Sequence, residues 1–338
     1  MISVIVITYN QENSIARTLE SILCQRCGTE VEIVVGEDGS SDNTRAICEE
    51  YARRYPDKIR LMPKAPNKGV VDNYFDCLLA CRGEYIADCA GDDYWIDGLK
   101  LQKEWEVLES DRRITIVHTA YTTSMASGGD CMPEMTAAEQ YGRVIVTDGK
   151  DMLEAIITQT RRPVIHLCTA LYRKDVLMGA YEADTFLFRN REFGCEDLQI
   201  CCAMAAAGSV AYLPDCTLCY SVGAETVSFS LNDRKQFVFK RRTGDLSHYL
   251  ARKYGIGSRA ADSFFSLRLF ALLMHAFRAN DSSLRQEALD CRRRWGARLT
   301  LASVVVLAAT ANAATWSLAL CLRKYFLKLK PHGSGRAQ

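Results

Sequence analysis

The 338-residue sequence has almost no net charge, 42 Lys+Arg against 41 Asp+Glu, and no sustained internal repeat. With 48% hydrophobic and 25% charged residues, those absences exclude collagen-like, coiled-coil and wholly disordered chains. They leave an ordinary folded protein of about one to three domains. No Gly-rich phosphate loop follows the first apolar run, where Tyr9-Asn10-Gln11 stands, which argues against a nucleotidyltransferase. The opening Met1-Ile2-Ser3-Val4 has no basic n-region, signal-length apolar stretch or small-residue cleavage site. An odd number of cysteines, fifteen at scattered spacing, then suggests a reducing compartment in which most act as small buried hydrophobes. Two Cys-x-x-Cys pairs, Cys24/Cys27 and Cys216/Cys219, lie far apart without zinc-ribbon context, so neither metal nor redox function is expected of them.

Acidic residues are scarce in one part of the chain only. Residues 223–338 hold 20 Lys+Arg and 7 Asp+Glu, whereas residues 1–222 hold 22 and 34. An acidic front does not suit non-specific nucleic-acid binding, and a basic rear suits an anionic membrane surface or an acidic partner.

The first hundred residues alternate β-branched runs with helical apolar spacing, the pattern of βαβ units feeding a largely parallel sheet. Strands are expected at Ser3–Thr8, Val31–Val35, Ile59–Met62, Tyr85–Cys89 and Ile114–Tyr121. Helices are expected at Glu12–Leu23, Asp42–Tyr55 (capped by Ser40 or Ser41), Val70–Cys81 and about Gly98–Leu108. Ser124–Arg143 reads as a loop or hairpin, Asp151–Thr158 as a helix, Thr169–Tyr172 as a strand, Glu196–Ala207 as a buried helix and Val210–Tyr220 as extended chain. Leu299–Leu322 runs 24 residues without a charge between basic flanks, longer than the roughly 20 residues that cross a hydrocarbon core. It predicts a membrane-associated helix, although its Thr, Ser and Asn residues also fit a buried, re-entrant or surface-lying one. The expected organisation is a catalytic domain over 1–222, a basic helical region over 223–298, that apolar helix over 299–322, and a basic disordered tail over 323–338.

Ligands of open parallel sheets bind beyond the carboxyl ends of the strands. Here the first strand runs into Thr8-Tyr9-Asn10-Gln11-Glu12, the second into Glu37-Asp38-Gly39-Ser40, and the fourth into Gly91-Asp92-Asp93. Carboxylates gathered at one edge repel unless a cation or N–H donors compensate them. A divalent metal and a nucleotide provide both. Asp92-Asp93 suits a hard cation that keeps positions open for phosphates. Asp38 is held at a turn where it can accept from an imide N–H or a ribose hydroxyl, or serve simply as a cap. Tyr9 can stack on a base, and Lys68 in Asn67-Lys68-Gly69 can reach a phosphate.

This combination resembles the inverting glycosyltransferases of family 2. The matching blocks are SVIVITYNQE at Ser3–Glu12, RTLESILCQ at Arg17–Gln25, EIVVGEDGSSDNT at Glu32–Thr44, NKG at Asn67–Gly69, RGEYIADCAGDDYW at Arg82–Trp95 and CEDLQI at Cys195–Ile200. The resemblance covers about residues 2–222. It implies a GT-A-like, Rossmann-related α/β fold, a mostly parallel sheet flanked by helices, here with a C-terminal helical extension. It implies that Thr8, Tyr9, Glu12 and Asp38 line the nucleotide-sugar pocket, with Lys68 and Asp92 beside them. Asp92 and Asp93 stand at the Asp-x-Asp element and would hold Mn²⁺ or Mg²⁺, Asp93 as the more direct ligand. Of Glu196-Asp197, Asp197 would be the general base. The expected partners are a nucleoside-diphosphate sugar (UDP by preference) and a hydroxyl acceptor on a polysaccharide, lipid-linked or other envelope glycan, at the cytoplasmic face of a membrane.

One departure stands out. Where relatives carry Tyr-Arg-x-His, this chain reads Tyr220-Ser221-Val222-Gly223. Lys68 or Arg234 is expected to substitute. Otherwise the chain is a non-catalytic homologue that binds nucleotide-sugar or anchors enzymes at the membrane.

Overall fold

A computed structural model describes residues 1–125, 143–159, 165–222 and 230–329, with side chains described to residue 322. Residues 126–142 of the expected hairpin and residues 330–338 of the expected tail lie outside those residues; residues 323–329, expected to be disordered, instead continue the last helix. The chain divides into two compact units, residues 1–224 with 249–256 and residues 225–248 with 257–338.

The first unit is built on one mixed sheet. Strands β1 (Ile2–Thr8), β2 (Val31–Glu37), β3 (Ile59–Leu61) and β4 (Tyr85–Asp88) alternate with helices α1 (Ile15–Leu23), α2 (Thr44–Arg54) and α3 (Val70–Ala80). Then follow β5 (Tyr94–Trp95), α4 (Lys100–Ser110), β6 (Ile114–Met125), β7 (Ile145–Asp148), α5 (Gly149–Thr158), a 3-10 turn (Leu167–Thr169) and β8 (Ala170–Arg173). Helices α6 (Lys174–Ala183), α7 (Thr185–Arg189) and α8 (Asp197–Ala207) and strand β9 (Ser209–Val222) complete it. The order across the sheet is β3-β2-β1-β4-β8-β6-β9-β5, with β7 also on β9. The first four strands are parallel, as the βαβ pattern requires. β8 pairs antiparallel with both β4 and β6, and β6 returns to a parallel pairing with β9.

Strand alternation explains the two covered faces. Val4, Val6, Ile33 and Val35 pack with Ile15, Leu19 and Ile22 of α1 and Leu101 and Leu108 of α4 in one core. Asn73 of α3 donates to the Gly36 carbonyl at 2.7 Å, so α3 closes on the sheet. Register sets where the strands end. Thr8 pairs with Glu37, and Ile5 with Asp88, after which Cys89 and Gly91 donate to the Ile5 and Ile7 carbonyls. Three polar loops therefore leave the sheet side by side. The expected cap of α2 by Ser40 or Ser41 is replaced: Asp42 accepts from Thr44 N–H at 3.0 Å, and Glu12 accepts from Asn43 N–H at 3.0 Å.

The second unit is helical. It holds α10 (Arg259–Ala279), α11 (Ser282–Trp295), α12 (Leu301–Ala309) and α13 (Ala313–Leu329), while α9 (Asp233–Lys253) has its last turn in the first unit. Ser258, Asp281 and Thr300 cap α10, α11 and α12. The 24-residue apolar run is not one straight helix. It bends by 113° between α12 and α13. Thr310 accepts from Arg285 Nε at 2.9 Å and donates to the Val306 carbonyl, and Asn312 caps the next helix through Thr315 N–H. Those polar side chains offer the backbone an alternative to continuing the helix. By length and composition α10 is apolar enough to cross a membrane, with half of that stretch buried inside the protein.

Candidate functional site

The loops at the carboxyl ends of the strands hold each other. Asp38 N–H donates to the Thr8 carbonyl at 3.0 Å, Asn10 N–H to Ser40 Oγ at 2.9 Å, and Glu12 N–H to Asp42 at 3.1 Å. Asn10 and Gly39 take positive φ (53° and 72°) to make these tight reversals. Ser14 donates to the Gly91 carbonyl at 2.8 Å, and Thr18 to the Asp93 carbonyl at 2.6 Å. Gly91 permits this approach, because a Cβ there would fall against Gln11 Oε1 and 2.6 Å from Thr8 Oγ1.

Thr8, Asp38 and Asp93 are buried, Glu12, Lys68 and Asp92 are half-buried, and the Tyr9 ring is exposed. Both Asp38 oxygens accept backbone N–H groups at 2.9 Å, from Lys68 and Gly69, so this carboxylate organises the Asn67-Lys68-Gly69 turn. The Lys68 ammonium pairs with Asp76 at 2.6 Å. Arg234, in the second unit, pairs with Asp281. Neither expected substitute is poised as a free cation.

Asp93 is 1% exposed. One oxygen accepts Ser221 N–H at 2.9 Å; the other has no partner in hydrogen-bond geometry among the described residues, with the Cys168 thiol against the carboxyl. Burial and the neighbouring Asp92 charge push its carboxyl up to about 7. Ser221 Oγ also donates to the Asp92 carbonyl at 2.6 Å. The segment that lacks Arg and His thus still fixes the acidic pair, through a backbone amide and a hydroxyl. The positive charge of Arg17, whose guanidinium lies 4.0 Å over the Tyr94 ring, acts on both aspartates.

A basic side chain from another stretch comes near Asp93. His166 packs against Tyr121 and Tyr220, with ring centroids 5.2 and 4.6 Å away. It has a ring nitrogen within 4.8 Å of an Asp93 oxygen. Burial lowers its pKa, and the Asp197 charge opposes that shift. Asp197 opens α8 and is exposed, with its carboxylate held by Leu198 N–H at 2.8 Å. Glu196 beside it is pushed upward by burial and by the Asp197 charge. His166 thus lies beside Asp93 and feels the Asp197 charge. Sequence reasoning missed His166 and Arg17; the available signal was a polar His-x-Cys at the entry to a buried strand.

Beneath the edge, Asp88 is buried, accepts from the Tyr172 hydroxyl at 2.8 Å, and is raised to about 7 by burial. A cavity of about 470 Å³, lined by Met1, Ile22, Cys27, Glu32, Lys58 and Arg82 among others, lies at the amino ends of the strands. It does not coincide with this chemistry. Among the described residues thirteen cysteines are free thiols, eight of them buried, as the composition suggests. Cys219 is disulfide-bonded, a departure from the reducing compartment that the odd count suggested.

Sheet order, strand-end carboxylates and a helix-opening Glu-Asp pair together define a GT-A-type α/β protein. The chain belongs to glycosyl transferase family 2, whose family model matches residues 3–179, more than half its length. It is 43% identical over 114 residues to an uncharacterized Mycobacterium tuberculosis protein, covering 34% of this chain and 33% of that one. It is 38% identical over 134 residues to the minor teichoic acid biosynthesis protein GgaA of Bacillus subtilis, covering 38% and 30%. The matches thus span about a third of the length of these relatives. Two solved structures share the fold at 16% identity. The mannosyltransferase PcManGT of Pyrobaculum calidifontis, in complex with GDP-Man and Mn²⁺, has a TM-score of 0.54 and covers 96% of this chain and 84% of that one. S. aureus TarS, in complex with UDP-GlcNAc, has a TM-score of 0.53 and covers 88% and 93%. The residues present fit the divalent cation implied by this fold: a buried Asp93 oxygen with no partner in hydrogen-bond geometry among the described residues, at the expected position, with Asp92 and His166 beside it.

Proposed function

We propose that the chain transfers a sugar from a nucleoside-diphosphate donor, UDP-linked by preference, to a hydroxyl acceptor with inversion, in the synthesis of an envelope glycan. The observation that carries this reading is the buried Asp93 carboxylate with one oxygen without a hydrogen-bond partner among the described residues, beside a histidine that the charge of exposed Asp197 acts on. Thr8, Tyr9, Glu12 and Asp38 surround the donor, the exposed Tyr9 ring offering a stacking face for the base. Asp38 and Glu12 act by shaping the loops through the Lys68, Gly69 and Asn43 amides. Asp197 takes the proton of the acceptor hydroxyl as its oxygen bonds to the anomeric carbon. The anomeric C–O bond breaks, and the nucleoside diphosphate leaves with the electron pair. Asp93, with Asp92 near, would hold a divalent cation, which would supply charge neutralisation for the diphosphate.

The test is incubation with UDP-, GDP- and TDP-sugars, Mn²⁺ and a broad hydroxyl acceptor set. Turnover of one donor, lost in Asp93→Asn and Asp197→Asn, is expected. The reading is wrong if no donor is bound or turned over and neither substitution has an effect. Donor binding by calorimetry without transfer or hydrolysis would favour the non-catalytic alternative.

The basic second unit and the apolar surface of α12 and α13 support a place at the cytoplasmic face of a membrane, where a lipid-linked acceptor would be met. Leu301, Val305 and Leu318 are more than half exposed there, and Arg292, Arg293, Arg294 and Arg298 precede them.

A further inference from the structure

We propose that His166 and Cys168 join Asp93 in a three-ligand metal site, whose thiolate selects a borderline-soft divalent ion such as Zn²⁺ or Co²⁺ over Mg²⁺. This deepens the reading above by naming ligands; it rests on that reading only for its link to the donor. A carboxylate oxygen of Asp93, a ring nitrogen of His166 and Sγ of Cys168 all lie within 4.8 Å of one another. Ligands about 2.0–2.3 Å from a tetrahedral ion stand about 3.5 Å apart, so closing on an ion needs only small side-chain rotations.

Two further observations point to a ligand. Among the described residues, Asp93 Oδ2 and His166 Nδ1 are both buried with no partner in hydrogen-bond geometry, the Cys168 thiol lying against the Asp93 carboxyl. Buried polar atoms normally find one. Asp93 cannot simply turn to satisfy both oxygens, since Ser221 N–H holds Oδ1.

The turn that carries His166 and Cys168 is itself fixed. The His166 carbonyl accepts from Thr169 N–H at 2.8 Å and Thr169 Oγ1 at 2.6 Å. The Cys168 carbonyl accepts from Trp95 Nε1 at 3.0 Å, and Ala90 N–H points at Cys168 Sγ at 3.3 Å. Trp95 and Ala90 bracket Asp93 in sequence, so the His-x-Cys turn and the acidic loop are braced together. Burial and the Asp93 charge hold Cys168 as a thiol, and the Ala90 N–H directed at its sulfur opposes them. The local balance is also short of positive charge, with Asp92 and Asp197 acting on this cluster and Arg17 as the opposing cation.

The donor set decides the ion. Mg²⁺ demands near-octahedral oxygen ligation and accepts thiolate poorly, whereas one sulfur, one imidazole and one carboxylate suit Zn²⁺ or Co²⁺. Three protein ligands leave a fourth position open, which a donor diphosphate oxygen can take.

The test is titration of the metal-free full chain with CoCl₂, followed by absorbance. A near-ultraviolet thiolate-to-cobalt charge-transfer band is expected together with visible bands of a low-coordinate ion. Cys168→Ser should lose the charge-transfer band, and Asp93→Asn and His166→Gln should each weaken Co²⁺ binding by at least about tenfold. Cys24→Ser, at an exposed thiol away from the cluster, should change nothing. No charge-transfer band at saturating Co²⁺, or a band that survives Cys168→Ser, overturns the site. Donor turnover with Mg²⁺ that is indifferent to Cys168→Ser, in a chain lacking the band, removes this inference and leaves the transferase reading intact. The expected bands without turnover of any donor keep the site and remove the transferase reading.

Discussion

At the residue scale, the site divides into carboxylates that organise loops and carboxylates left for ligands. Asp38 and Glu12 spend their oxygens on backbone amides, while Asp93 keeps one and Asp197 faces solvent. Asp197→Asn should therefore lower kcat by about 10²–10⁴-fold and leave donor affinity, read by calorimetry, unchanged. Glu32 is an organiser of another kind. Burial raises its pKa, but the Ser3 hydroxyl, the Arg82 amide and guanidinium, and Arg60 outweigh that and lower it from 4.5 to about 2. A folded value below the unfolded one means that this stabilisation is complete above about pH 4.5 and is lost as pH falls toward 2. It amounts to about 3 kcal/mol. Urea denaturation of Glu32→Gln should show a lower midpoint at pH 6 than the parent, with the gap narrowing at pH 3.

At the scale of elements, α4 carries a fully buried ion pair, Lys100 to Glu104 at 2.6 Å, with the ammonium 4.6 Å from the Trp95 ring centroid. Burial raises Glu104 to about 7 even with this partner. Lys100→Met should cost about 3 kcal/mol by leaving the carboxyl unpaired, while Lys100→Met with Glu104→Leu should return to within about 1 kcal/mol of the parent. Chemical denaturation of the single and double variants checks both values. The elements legible in the sequence were those whose own pattern suffices. The runs of β1, β2 and β4 are continuous because both faces are covered, and α1 shows its apolar stripe. The two-residue β5 was illegible, since it exists only where β9 offers it a partner. Helices α6 and α7 were missed for a related reason: they are short, and each buries few residues. The break between α12 and α13 was written in Thr310 and Asn312, but an uncharged run hides a bend that side-chain hydrogen bonds make.

At the scale of the whole molecule, charge is distributed by unit. Residues 223–338 carry 20 basic and 7 acidic side chains, and exposed Leu301, Val305 and Leu318 lie among them. Full-length protein should sediment with vesicles containing anionic phospholipid, more weakly with neutral ones, and should be released as salt rises. Equal recovery in the supernatant with both vesicle types would remove the membrane reading.

Local pattern alone determined the βαβ start, the three polar strand ends and the acidic pair at the opening of α8, because strand and helix periodicities and turn chemistry act over a few residues. Tertiary structure alone decided which distant groups meet. His166 and Cys168 reach Asp93 only because β8 runs antiparallel beside β4, and Ser221 reaches it only because β9 ends beside β5. Such meetings depend on strand order, which no stretch of sequence encodes by itself.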